Sequence, residues 1–188
     1  MKACLLVAGL MISLIGFTQD KFVPNVKGGT KMQYLANVNG QEIPVGFKID
    51  SMAADYLKIG WSVEGYGEGA WIMKQKSLQS SSGSVSENPE PGVDLVLPDD
   101  KAQLIISKDQ WGTVTKDKKL KHNNVEFTVV GSAADNDFKV GDKSVDVIYL
   151  ESPDKASKLW ILNNAALPLM VKVVGNMGGP DLTLLSIN

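Results

Sequence analysis

The chain has 188 residues, 44% of them hydrophobic and 21% charged, a composition that excludes collagen-like, coiled-coil and wholly disordered proteins. All 19 basic residues are Lys, and the formal net charge is −2. Because Arg supplies the planar guanidinium group that pairs with phosphate and guanine, a chain that lacks Arg and is net negative is poorly suited to nucleic-acid recognition. We therefore expect no nucleic-acid partner.

The amino terminus has the pattern of a secretory signal peptide. A lysine precedes an apolar run over residues 3–17, and two small residues, Gly16 and Thr18, occupy the −3 and −1 positions of a cleavage site. The run is shorter than the roughly 20 residues that span a bilayer. We expect residues 1–19 to be removed and residues 20–188 to form one domain in the periplasm or outside the cell. After cleavage the protein is not expected to be an integral membrane protein.

The residues that carry enzyme chemistry are scarce. The single cysteine, Cys4, lies in the leader, so the mature chain is expected to have no disulfide, thiol nucleophile or thiolate metal site. The single histidine, His122, lies in a polar, Lys-rich segment that predicts an exposed hairpin tip. No HExxH or GxSxG motif occurs in the sequence. We expect no catalysis, metal or cofactor, with a carboxylate-based glycan hydrolase as the enzyme alternative.

Period-two alternation of apolar residues predicts an antiparallel β protein from Met32 onward. Asn39-Gly40 is the preferred pair for a two-residue type I′ turn, and this turn would pair Tyr34 with Val45. Pro44 cannot donate to a strand ladder, which predicts a sheet edge or a bulge there.

Further strands are predicted along the rest of the chain, and little helix. A long polar segment, residues 79–92, is predicted to be a surface loop. The loop either covers a site or is a long connection without a function of its own. The helix candidates are the short segments 51–56 and 74–79. The fold class expected is mainly β, a single large curved antiparallel sheet forming an incomplete barrel of about eleven strands. The predicted strands are 56–64, 70–73, 93–97, 102–107, 113–115, 125–130, 145–151, 158–162, 169–174 and 181–187.

The carboxyl-terminal third has a recurrent order of strands. A Tyr-bearing strand over 145–151 is followed by Lys158-Leu-Trp-Ile-Leu-Asn-Asn164, a Leu-Pro-Leu entry at 167–169 and two closing strands. This order resembles the lipoprotein-carrier-like half-barrel superfamily. The resemblance implies an incomplete barrel of about eleven antiparallel strands around an apolar concavity that takes up acyl chains. In the carriers helices fill that concavity, and this sequence shows no obvious counterpart to them.

Large apolar side chains on the predicted strands are either core residues or the lining of such a concavity. We expect a non-catalytic binding protein that holds a lipid or lipopeptide ligand, apolar or amphipathic, in the half-barrel. The alternative is an envelope protein-protein interaction scaffold without a small-molecule ligand. The candidate ligand-binding residues are Trp61, Trp71, Met73, Tyr149 and Trp160.

Overall fold

The computed structural model describes residues 21–86, 88–131, 137–175 and 178–188; the expected signal peptide, 1–19, lies outside them. Within these ranges the chain forms thirteen strands and two helices. In chain order they are β1 (Lys31–Val38), β2 (Gln41–Ala53), β3 (Tyr56–Val63), β4 (Gly67–Lys74), α1 (Gln75–Ser80), β5 (Asp94–Val96), α2 (Lys108–Asp117), β6 (Lys119–His122), β7 (Val125–Val129), β8 (Phe138–Val140), β9 (Lys143–Val145), β10 (Val147–Glu151), β11 (Lys158–Leu162), β12 (Met170–Val174) and β13 (Asp181–Ile187).

Eleven of the strands form one sheet in the order β5-β4-β3-β2-β1-β13-β12-β11-β10-β7-β6. The sheet is not closed into a barrel, so β5 and β6 are its two edges. Neighbouring strands are antiparallel except β4 and β5, which run parallel. β8 and β9 form a separate hairpin. The predicted fold class, a mainly β protein built on one large sheet of about eleven strands with little helix, is confirmed.

The first hairpin has the predicted register. Asn39 and Gly40 both have positive φ, 53° and 84°, as a type I′ turn requires. Tyr34 pairs with Val45, and the pairing continues without a shift along β1 and β2. Local sequence therefore determines this part of the sheet.

The expectation for Pro44 is wrong in its stated form, because β2 lies inside the sheet between β1 and β3. The register shift in β2 falls between Ile49 and Ser51, away from the proline. β3 ends at Val63, opposite Val45, so Pro44 lies one residue beyond the β2–β3 ladder. The missing N–H is tolerated because the neighbouring strand has already ended.

Three local predictions between residues 51 and 115 are wrong. Residues 51–53 extend β2 instead of forming a helix, whereas the 74–79 candidate corresponds to α1. Residues 102–107 form no strand, only an isolated bridge between Ile105 and Leu169. Residues 113–115 belong to α2. This helix begins with a capping box in which Ser107 and Gln110 each bond the other's backbone N–H.

The sheet has two faces that differ in what covers them. We call the face carrying Phe47, Trp61 and Trp71 the front face. α2 packs on the front face at the β6 end, where Val114 lies in a buried cluster with Leu150 and other residues of β7 and β10 to β12. α2 therefore covers the front face at this end of the sheet.

The opposite face, which we call the back face, carries a continuous cross-strand row. Pairing aligns Leu35 with Thr183, Thr183 with Lys172, Lys172 with Trp160 and Trp160 with Tyr149. Directly paired residues point to the same face of a sheet. Leu35 lies on the face opposite Tyr34, so the whole row belongs to the back face.

Candidate functional site

An open cavity of about 670 Å³ lies on the front face. Its walls come from β1 to β4 on one side and from β12 and β13 on the other. The volume falls within the range of about 300 to 1,000 Å³ that is typical of small-molecule sites. The apolar lining residues are Ala36, Val38, Ile43, Val45, Phe47, Trp61, Val63, Tyr66, Trp71, Val85, Leu104, Met170, Val173 and Leu182.

Aromatic rings form one side of the cavity. Phe47 and Trp71 have ring centroids 5.8 Å apart, Trp71 and Trp61 6.3 Å, and Trp61 and Tyr66 6.1 Å. The series continues through the edge-to-face contact of Tyr34 with Phe47 at 5.3 Å. Alternation on β1 to β4 places the strand residues of this series on one face, and Tyr66 joins them from the β3–β4 turn.

Residues 84–86 and 88–89, which we call the roof, also line the cavity. At one end the backbone N–H of Ser84 donates to Asn123 Oδ1 at 2.9 Å. At the other end the Tyr66 hydroxyl donates to the carbonyl oxygen of Pro89 at 2.8 Å. Asn123 follows edge strand β6 and Tyr66 lies between β3 and β4, so the roof connects one edge of the open sheet to the β3–β4 turn near the other edge. Part of the predicted loop 79–92 thus covers the cavity, whereas its first two residues, Gln79 and Ser80, belong to α1.

A buried polar network supports the Ser84 end of the roof. The Gln110 side chain accepts from the Ser107 N–H at 3.2 Å and donates to the Lys121 carbonyl oxygen at 2.6 Å. This orientation points its NH₂ group at His122 Nδ1, 3.4 Å away. Nδ1 is therefore the acceptor, and His122 Nε2 carries the proton and donates to Ser84 Oγ at 3.1 Å.

The prediction of an exposed His122 is wrong. The residue is 1% exposed and lies in β6, paired with Val125, while Asn123 and Asn124 form the actual tip of the hairpin. Burial, with a contribution from the Lys101 cation, lowers the pKa of His122 to about 4. The imidazole is therefore neutral at pH 7.

The polar lining of the cavity is nearly free of charge. Glu64 is the one ionised side chain among the lining residues that the structure describes. The neutral polar side chains of the lining belong to Ser84, Ser86, Asn88, Gln103, His122 and Asn123. Gln103 Oε1 is buried and has no hydrogen-bond partner within the described chain.

The five candidate residues from the sequence separate into three groups. Trp61 and Trp71 line the cavity together. Met73 is fully buried on the same strand as Trp71, in the hydrophobic core and outside the lining. Tyr149 and Trp160 stack on each other on the back face, with ring centroids 4.6 Å apart and Lys172 Nζ 4.8 Å from the Trp160 ring.

Sequence reasoning did not select Phe47, Tyr66, Gln103 and His122 as site residues. Phe47 could have been found, because the predicted hairpin register already placed it on the apolar face of the first hairpin, opposite Met32. Tyr66 and Gln103 lie in irregular segments, whose positions depend on tertiary structure.

A second depression, of about 630 Å³, lies over β1 to β4 and β5. Its charged side chains largely neutralise one another: Lys48 pairs with Asp50 at 3.0 Å and Lys58 with Asp94 at 2.6 Å. The front-face cavity, with its predominantly apolar lining, is therefore the stronger candidate for a ligand site.

The described residues contain no cluster of three or more His, Cys, Asp or Glu side chains that could hold a metal ion. None of the helices in the described ranges is long and apolar enough to cross a bilayer. Comparisons with protein-family models, with curated proteins and with solved structures gave no match.

Proposed function

We propose that this chain is a non-catalytic binding protein of the periplasm or extracellular space that holds an apolar or amphipathic, lipid-like ligand in the front-face cavity. The observation that carries the proposal is the cavity itself, an apolar space beneath a roof that is tethered at both ends. A concave site lined by aromatic and aliphatic groups with a few polar ones is the usual form of a small-molecule site.

We further propose kinship with the lipoprotein-carrier-like half-barrels, because an open sheet of eleven strands with a helix on one face agrees with the architecture that the resemblance implies. In that superfamily the equivalent concavity takes up acyl chains. The kinship remains part of the proposal, and it favours a ligand with a flexible hydrocarbon chain over a rigid apolar one.

The orientation of the Ser84–His122 pair supports a non-catalytic role. A general base must present an unprotonated nitrogen to the hydroxyl it activates. Gln110 places the proton on His122 Nε2, the nitrogen that faces Ser84, so His122 donates to the hydroxyl and does not accept from it. The pair therefore connects the roof to β6 and does not activate Ser84.

Blocking the cavity tests the proposal. Ile43 is half-buried in the cavity wall, and Ile43→Trp should fill part of the space and abolish uptake of an uncharged fluorescent fatty-acyl ester. Leu35→Trp is the matched control, since Leu35 is also half-buried but lies on the back face. The proposal predicts binding by the parent and by Leu35→Trp only; a folded parent that takes up no probe would refute it.

The alternative, an interaction scaffold, has one specific observation in its favour. Leu95 and Val96, on edge strand β5, are 41% and 46% exposed. An exposed apolar edge strand can pair with a strand of another protein. Two results together would favour the scaffold. The parent would take up no lipid-like probe, and a protein that binds the parent would not bind Leu95→Lys.

The proposed compartment has its own test. Amino-terminal sequencing of the native protein should show a chain that starts at Gln19 or Asp20. An intact Met1 on the native protein would contradict export by signal cleavage.

A further inference from the structure

We infer that the cavity selects amphiphiles with one hydrocarbon chain and an uncharged, hydroxyl- or amide-bearing head group, and discriminates against fatty acids and other anions. This inference rests on the proposed function. It derives from the charges and hydrogen-bonding groups of the lining.

An anionic head group would find no cationic partner in the described lining. No lysine lines the cavity in the residues that the structure describes. The single ionised group there, Glu64, is itself an anion, and His122 is neutral. Removing a carboxylate from water is costly unless a cation or several donors receive it.

The neutral polar groups favour a head group that both donates and accepts hydrogen bonds. Ser86 and Asn88 in the roof present a hydroxyl and an amide group to the cavity. Gln103 adds a buried acceptor, Oε1, that has no partner among the described residues. A ligand hydroxyl would satisfy such an acceptor, whereas a carboxylate, which only accepts, could not.

We expect a cationic head group to bind less tightly than a neutral one. Glu64 is exposed, and water and salt weaken its attraction for a cation at the mouth of the cavity. The remaining polar side chains in the described lining are uncharged. Because uncharged polar side chains outnumber charged ones in the described lining, we expect a neutral head group to bind best.

The size of the cavity favours a single chain. Its volume of about 670 Å³ corresponds to roughly 20 water molecules at about 30 Å³ each. A glycerol head with one twelve-carbon acyl chain has about as many non-hydrogen atoms as this space can hold. A lipid with two long chains would extend well outside it.

The test compares three amphiphiles with matched twelve-carbon chains at pH 7.5: monolauroylglycerol, dodecanoate and dodecyltrimethylammonium. Each amphiphile competes with a neutral fluorescent probe and is used below the critical micelle concentration of that amphiphile. We expect monolauroylglycerol to bind at least about tenfold more tightly than either ion. Equal or tighter binding of dodecanoate or of dodecyltrimethylammonium would overturn the inference and leave the proposed function intact. Binding of none of the three would refute both.

A charge change at the mouth provides the second arm. Glu64→Lys should improve dodecanoate binding relative to monolauroylglycerol by about fivefold or more. Glu68→Lys makes the same change across the β3–β4 turn, but Glu68 lines the other depression and should leave the ratio unchanged. An unchanged ratio in Glu64→Lys, or the same shift in both variants, would contradict selection by the charges of the lining.

Discussion

His122 Nε2 donates a hydrogen bond to Ser84 Oγ at 3.1 Å, and this contact joins the roof of the cavity to the edge of the sheet. The two residues are 38 positions apart in the chain. Gln110, on α2, fixes the imidazole from the other side. One buried histidine therefore connects a strand, a helix and the segment that covers the proposed ligand site.

The first prediction concerns the pH dependence of stability. The pKa of His122 is about 4 in the folded protein and about 6.5 when the chain is unfolded, so the unfolded state binds more protons between these values. Stability is therefore lost as the pH falls from about 6.5 towards 4. Between pH 7 and pH 4.5 the parent should lose about 2 kcal/mol more unfolding free energy than His122→Gln. Urea unfolding at both pH values measures the difference. Equal losses in parent and variant would place His122 in solvent.

The second prediction concerns the roof tether at Tyr66. Tyr66→Phe removes the hydrogen bond to the Pro89 carbonyl oxygen and keeps the ring in the cavity wall. A net hydrogen bond contributes about 1 kcal/mol, so a bound acyl probe should dissociate about fivefold faster. Stopped-flow displacement measures this rate. Tyr56→Phe, at the far end of β3, is the control and should release the probe at the same rate as the parent. Identical dissociation rates in the parent and both variants would show that the roof does not control ligand exchange.

The third prediction separates the two groups of aromatic residues. Trp71→Leu and Trp160→Leu each truncate a buried tryptophan and should lower the unfolding free energy by about 1 to 3 kcal/mol. Only Trp71 lines the cavity, so only Trp71→Leu should weaken probe binding per folded molecule. Calorimetric unfolding and a binding titration on the same samples make the comparison. Loss of affinity in Trp160→Leu as well would place ligand contacts on the back face.

The fourth prediction concerns Gln103. Replacing a buried acceptor that lacks a partner by an apolar group of similar size relieves an unfavourable burial, so Gln103→Leu should stabilise the ligand-free protein by about 1 kcal/mol. The same change should weaken monolauroylglycerol binding, because the ligand hydroxyl loses its acceptor. Thermal unfolding and displacement assays are the two measurements. A variant that is less stable than the parent would show that Oε1 has a partner in solution.

Sequence patterns predicted the parts of this fold that depend on local information. In the first hairpin, turn chemistry at Asn39-Gly40 and period-two alternation agree, so even the register followed from the sequence. The start of α2 also had a local signal, Ser107 with Gln110 three residues later, which is a capping-box pattern. The β-branched residues within 113–115 obscured it.

The burial of His122 and the two-sided placement of the tryptophans had no local signal. His122 is covered by Ser84 and Gln110, which come from distant segments. Trp61 and Trp160 both lie on alternating strands, and alternation cannot tell which face of a two-sided sheet receives the ligand. Assigning each tryptophan to the cavity or to the opposite face requires the order of the strands in the sheet and the position of the roof.

Native mass spectrometry of residues 20–188, purified without detergent from the bacterial envelope, tests the central claim most directly. The account predicts that a fraction of the parent and of Leu35→Trp carries one noncovalently bound amphiphile, which Ile43→Trp lacks. Parent protein that is free of adducts and stays free after incubation with monolauroylglycerol would contradict it.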